Sequence, residues 1–165
     1  MADISSIQQA KTIGSQNKDI RYEERKAVRL IISNSQNQII IIHVQKGNYY
    51  KLPGGGIEDD EDHALAGERE ALEETGCKIS VGNFLGATEE WRNDLHQLSY
   101  CYNAKVIEDT GVLELTELEI GEGLTHQWVD VGAVVNMMKA CVPTSELGNF
   151  IKKRDLHFVE KFMKS

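Results

Sequence analysis

Residues 52–77, LPGGGIEDDEDHALAGEREALEETGC, decide how this chain folds. Pro53 ends an extended segment, and Gly54, Gly55 and Gly56 let backbone approach a ligand where a Cβ would clash. Asp62 then stands as N-cap, and Gly76 as the terminating residue, of a helix over 63–75. At 100° per residue, Glu70, Glu73 and Glu74 fall within an arc of about 100° on that helix. Leu65 and Leu72, one heptad apart, point away from the arc and are expected to form the buried side. Like charges so spaced destabilise a helix by about a few tenths of a kcal/mol per pair. A divalent cation reverses that sign, because hard cations prefer oxygen ligands. Gly67 lies on the acidic face, where a glycine costs about 1 kcal/mol relative to alanine. The missing side chain is expected to leave room for bound phosphate or metal.

The charge of the whole chain is concentrated in this stretch. Nine acids stand against only Arg69 and Lys78 between Gly54 and Ile79, so seven of the eight net negative charges lie there. An acidic balance disfavours a nucleic-acid polymer as partner. Outward from the stretch, strands are expected over 26–32, 38–44 and 49–52. The run Ile39-Ile40-Ile41-Ile42 is apolar on both faces, as in a central strand covered on both sides. Beyond the helix, strands are expected over 83–89 and 97–106, joined by a loop over 90–94. An acidic loop over 114–122 leads to a strand at 127–129, a helix over 131–140, and a last helix over 145–163 bent near Arg154. Helices and strands alternate, so the fold class is α/β, a mixed sheet between helices.

With 165 residues, 41% of them hydrophobic and 27% charged, the chain suits one soluble core, taken as 21–165 with a mobile arm over 1–20. No apolar run approaches the roughly 18 residues that span a bilayer, and the polar start has no apolar core of a signal peptide. Cys77, Cys101 and Cys141 lie far apart, without metal or redox spacing, which fits a reducing compartment. The cytosol is the default reading, with the nucleus as alternative. The acidic run lacks the alternating oxygen ligands and turn glycine of a calcium-binding EF-hand loop.

A Glu-Glu pair alone is ordinarily a solvated helix face. Here Gly55, five residues, Glu61, seven residues and then Arg69-Glu70-Ala71-Leu72-Glu73-Glu74-Thr75-Gly76-Cys77 resemble the Nudix box at all seven fixed positions. Seven such matches arise by chance in fewer than about one in a million chains of this length. The preceding Leu52-Pro53-Gly54 is similar to the family as well. The resemblance implies an α/β/α sandwich and a loop–helix–loop holding Mg2+, or Mn2+, against a substrate diphosphate. By position, Glu70, Glu73 and Glu74 are then the metal ligands, with the Gly54 carbonyl as a further one. Glu61 supports them from behind, and Arg69 orients a box carboxylate. Gly55 and Gly56 face phosphate. A water attacks phosphorus and a carboxylate takes its proton.

Family members often place that base, or another ligand, in the loop before the last core strand; Glu122 is the first choice here and Glu119 the second. Trp91 and Arg92 offer an aromatic face and a guanidinium plane to a nucleobase. Arg25, Lys26 and Arg29 could meet phosphate, although surface charge is the plainer account. The proline of ADP-ribose hydrolases is replaced by Asn93, and the tyrosine of dinucleoside-polyphosphate hydrolases has no counterpart at its distance. The chain is most similar to the MutT-type group. The expected activity is therefore Mg-dependent hydrolysis of a (deoxy)nucleoside triphosphate, an oxidised one such as 8-oxo-dGTP included. ADP-ribose or nucleotide-sugar hydrolysis is the alternative, and a silent nucleotide-binding module the non-enzymatic one. The partner is a small-molecule nucleotide, with a homodimer compatible with the sequence.

Overall fold

The computed structural model describes residues 9–165. One mixed sheet is built from β1 (Lys11–Ile13), β2 (Glu23–Ser33), β3 (Gln38–Val44), β4 (Tyr49–Lys51), β5 (Gly54–Gly56), β6 (Cys77–Arg92), β7 (Leu95–Asp109) and β8 (Leu124–Asp130). Its order is β1-β6-β7-β2-β3-β4, with β5 also paired to β2 and β8 to β3. The pairs β1/β6 and β2/β7 are parallel and the others antiparallel. The helices are α1 (His63–Thr75), α2 (Glu117–Glu122), α3 (Val131–Ala140) and α4 (Glu146–Lys164).

Side chains alternate across a strand, so the two-sided apolar runs feed two cores. Leu30, Ile32 and Ile40 pack with Ala66 and Ala71 of α1 on one face. Ile31, Ile39 and Ile41 pack with Val134 and Met138 of α3 and Phe158 and Val159 of α4 on the other. The result is the expected sandwich of helix, mixed sheet and helices. Among the described residues, no helix is long and apolar enough to cross a membrane.

Several expectations are corrected. Leu65 and Leu72 are not the buried side of α1: they are 53% and 37% exposed, and Ala66, Gly67, Ala71, Glu74 and Thr75 are buried instead. Small residues let the helix lie close on the sheet. A Cβ on Gly67 would stand 3.1 Å from Leu30 Cδ2, so the space there is filled by the core rather than kept for a ligand. The loop foreseen over 90–94 shrinks to a two-residue turn between β6 and β7, with Asn93 at φ 54. Glu90 reads as a loop residue but is 1% exposed, because Arg154 compensates its charge inside the sandwich. The helix α4 runs unbroken through Arg154. Within the foreseen arm, Lys11–Ile13 forms a strand parallel to Thr88–Glu90, and residues 1–8 lie outside the described ones. The acidic loop contains the short helix α2, capped by Thr116 and Glu119.

Candidate active site

The glycine strand β5 is held between β2 and α1. Arg29, Val28 and Ala27 pair with Gly54, Gly55 and Gly56, and the Pro53 carbonyl accepts from Leu30 N–H at 2.9 Å. Gly54 has φ 146, and a Cβ there would collide with the Val28 carbonyl, so only glycine fits. Its N–H donates to Glu74 Oε1 at 2.8 Å, while Lys51 Nζ lies 3.3 Å from Glu74 Oε2. Glu74 is 3% exposed. Burial pushes its carboxyl up to about 7, although Lys51 and the Gly54 N–H pull the other way.

Arg69 organises the other carboxylates. Its Nε and Nη2 donate to the two oxygens of Glu61 at 2.7 and 2.8 Å, a bidentate fork. Nη2 also donates to the Gly56 carbonyl at 3.0 Å, and Nη1 to Glu70 Oε1 at 3.0 Å and Glu73 Oε2 at 3.5 Å. One guanidinium thereby ties the glycine strand to three glutamates. The Arg69 hydrogen bond holds the Glu61 carboxyl below its ordinary range. Burial, then the nearby Glu70, raises that of Glu73. The close approach of Gly55 to α1 is equally tight, since a Cβ would stand 2.5 Å from Glu70 Oε1.

Glu70, Glu73 and Glu74 line one basin together with the glycine strand, as the sequence reading brings them together. Thr116 and Glu119 close it from the α2 side. Among the described residues, no three His, Cys, Asp or Glu side chains already converge as a metal cage. Their oxygens are turned to Arg69, Lys51 and the Gly54 N–H. The donor set is nonetheless all oxygen and rich in carboxylate, which suits a hard divalent cation once those contacts are exchanged.

Of the remaining foreseen residues, Glu119 lies at the basin and Glu122, Trp91 and Arg92 lie outside it. Glu122 ends α2 roughly 4.5 Å further along the axis than Glu119 and lines a neighbouring cavity with Lys46, Tyr49 and Leu118. Glu119 lines the basin and accepts from Thr116 N–H at 3.0 Å through Oε1. Trp91 and Arg92 sit at the β6/β7 turn and do not line the basin. Trp91 stacks on His96 with centroids 3.8 Å apart and planes at 17°, so one ring face is already covered. Arg92 Nε lies 4.0 Å from Glu90 Oε2.

Arg25, Arg29 and Lys51 form the cationic side of the basin; sequence reasoning offered Arg25 and Arg29 for phosphate but preferred surface charge, and it did not single out Lys51. Far from being surface charge, Arg29 is 5% exposed. Burial, then the nearby Arg154, lowers its guanidinium pKa to about 10. An arginine inside the apolar run from Ala27 to Ile32 was the available signal. Also missed was Asp155, whose Oδ2 accepts the Leu52 N–H at 2.9 Å and whose Oδ1 accepts from Arg154 Nε at 2.8 Å. These contacts anchor the segment that leads into the glycines to α4.

The chain is similar to known proteins in sequence and in fold. The family model described as NUDIX domain matches residues 23–145. The chain is 26% identical over 123 residues to diphosphoinositol polyphosphate phosphohydrolase NUDT4B of Homo sapiens, covering 74% of this chain and 66% of that protein. Diphosphoinositol polyphosphate phosphohydrolase 3-beta of Bos taurus is 26% identical over 123 residues, covering 74% of this chain and 73% of that one. The chain thus spans about two thirds of the length of the first of these relatives. Among solved structures, a MutT protein from Methanosarcina mazei Go1 superposes with a TM-score of 0.62 at 17% identity, over 88% of this chain and 96% of that one. A NUDIX hydrolase from Nitrosomonas europaea gives 0.64 at 17% identity, over 86% and 90%. At such identities the structural likeness establishes the fold. The family match extends over most of the chain. The chain belongs to the NUDIX domain family.

Proposed function

We propose that the basin binds the diphosphate of a small phosphorylated molecule and hydrolyses its P–O–P bond with the help of a divalent cation, Mg2+ first and Mn2+ as alternative. The observation that carries this reading is the meeting of Glu70, Glu73 and Glu74 with Arg25, Arg29 and Lys51 around the glycine strand. Carboxylates alone repel a polyanion, and cations alone hold it without activating it. A bound cation supplies charge neutralisation at the phosphoryl oxygens and acidifies water.

Each residue then has a task. Glu70, Glu73 and Glu74 hold the cation, with the Gly54 carbonyl as a further ligand. Arg69, fixed by Glu61, orients Glu70 and Glu73. Gly55 and Gly56 give the phosphates close access to backbone. Glu119 takes the proton of the attacking water in place of Glu122, because Glu119 lines the basin and Glu122 lines the next cavity.

The walls of the basin are charged side chains, glycines and Thr116, so recognition goes through phosphate groups. A (deoxy)nucleoside triphosphate, an oxidised one included, fits that chemistry and remains the first reading. A diphosphoinositol polyphosphate fits it equally and is favoured by the names of the relatives. Phosphate release from both classes and from ADP-ribose, with Mg2+, Mn2+ and a chelator, tests the proposal. We expect turnover that the chelator abolishes and that Glu74→Gln lowers by at least about a hundredfold in kcat. Turnover undiminished by chelator and by Glu74→Gln would place the chemistry elsewhere.

A further inference from the structure

Resting on the reading of the basin as a diphosphate site, the cationic wall says more about the substrate. Arg25 and Arg29, four residues apart on β2, lie on the same face of the sheet, and Lys51 reaches the basin from β4. Two of the three have partners inside the protein. Lys51 Nζ faces Glu74 Oε2 at 3.3 Å, and Arg25 Nη1 donates to Gln97 Oε1 at 2.6 Å. Arg29 is different. It is 95% buried by its 5% exposure, yet its Nε has no hydrogen-bond partner among the described residues.

The carboxylates near Arg29 are already engaged. Glu74 accepts from the Gly54 N–H and faces Lys51; Asp155 accepts from the Leu52 N–H and from Arg154. Arg25 and Arg154 add like charge around it. A buried guanidinium in such a setting is compensated by an anion that the protein does not itself supply. Arg29 lines the basin proposed to take the substrate phosphates.

We propose that Arg29, flanked by Arg25 and Lys51, receives a terminal phosphate of the substrate, one that is esterified no further. A terminal phosphate carries a charge of about −1.5 to −2 at neutral pH and three strong acceptor oxygens. Each phosphate of a diphosphate esterified at both ends carries a single charge and offers less to three cations. The wall therefore selects nucleoside triphosphates, or a diphospho group with a free end, over ADP-ribose and nucleotide sugars.

Calorimetric binding of inorganic pyrophosphate and of ADP-ribose, in chelator, tests this without turnover. Wild type binds pyrophosphate more tightly than ADP-ribose. In Arg29→Met, pyrophosphate binding weakens by at least about tenfold while ADP-ribose binding barely moves, and Arg29→Lys recovers part of the loss. The melting temperature of anion-free Arg29→Met is equal to or above that of wild type, since an unpaired buried charge has been removed; a merely structural arginine would lower it. Unchanged pyrophosphate affinity in Arg29→Met, no pyrophosphate binding by wild type, or a lowered melting temperature in both Arg29→Met and Arg29→Gln would each overturn the inference. If pyrophosphate behaves as stated but no compound is hydrolysed, the proposed function fails and the phosphate receptor stands. Hydrolysis with unchanged Arg29→Met binding would remove the receptor alone.

Discussion

Glu74 is a carboxylate placed where ionisation is costly. Its pKa is raised from 4.5 to about 7 by burial, so the folded state prefers the neutral form. Such a group takes stability away as pH rises from its unfolded value through its folded one. In chelator, Glu74→Gln is therefore expected to melt above wild type at pH 8, with the gap closing by pH 4.5. Thermal melts at the two pH values check this; a variant less stable than wild type at pH 8 would contradict it. Glu61 has the opposite sign. Its carboxyl is held below the ordinary 4.5 by the Arg69 fork, so its contribution is full above that value and is lost as pH falls through the depressed one. Glu61→Gln should accordingly be less stable than wild type at pH 7, by a margin that shrinks steadily below pH 4.5 in acid titrations of the melting temperature.

At the scale of elements, α1 shows what periodicity conveys and what it hides. Its ends were legible because caps are local chemistry: the Asp62 side chain accepts from Leu65 N–H at 2.8 Å, and Gly76 takes φ 72. Its buried face was not, since the large leucines turn outward and the contact with the sheet is made by Ala66, Gly67 and Ala71. Leu72→Lys is thus expected to change stability by no more than about 0.5 kcal/mol. Gly67→Leu should cost at least about 1–3 kcal/mol by overpacking against Leu30 and Val81. Denaturant melts of the two variants separate the faces; equal losses would return the leucines to the core. The link from α4 to the glycine strand is the other element-level device. Asp155→Ala leaves Arg154 with one carboxylate fewer and the Leu52 N–H unpaired, an expected loss of about 3–5 kcal/mol.

Across the whole molecule, the glutamate trio of the basin lies within one short stretch and could be read from spacing, as could the mixed sheet from the alternation of strands and helices. The rest of the basin is assembled from β2, β4 and α2, and nothing in local spacing says that Arg29, Lys51 and Glu119 will meet Glu74. Glu90 and Arg154 were equally hidden, because a charge buried by a partner 64 residues away looks like a surface charge in sequence. The proposed function requires the α1 glutamates to gather divalent cations in this basin. Electron paramagnetic resonance titration with Mn2+ decides this, comparing wild type with a variant carrying Glu70→Gln, Glu73→Gln and Glu74→Gln, both verified as folded by circular dichroism. Wild type is predicted to take up Mn2+ and the variant to lose it. Equal uptake and affinity in the two proteins would contradict the account.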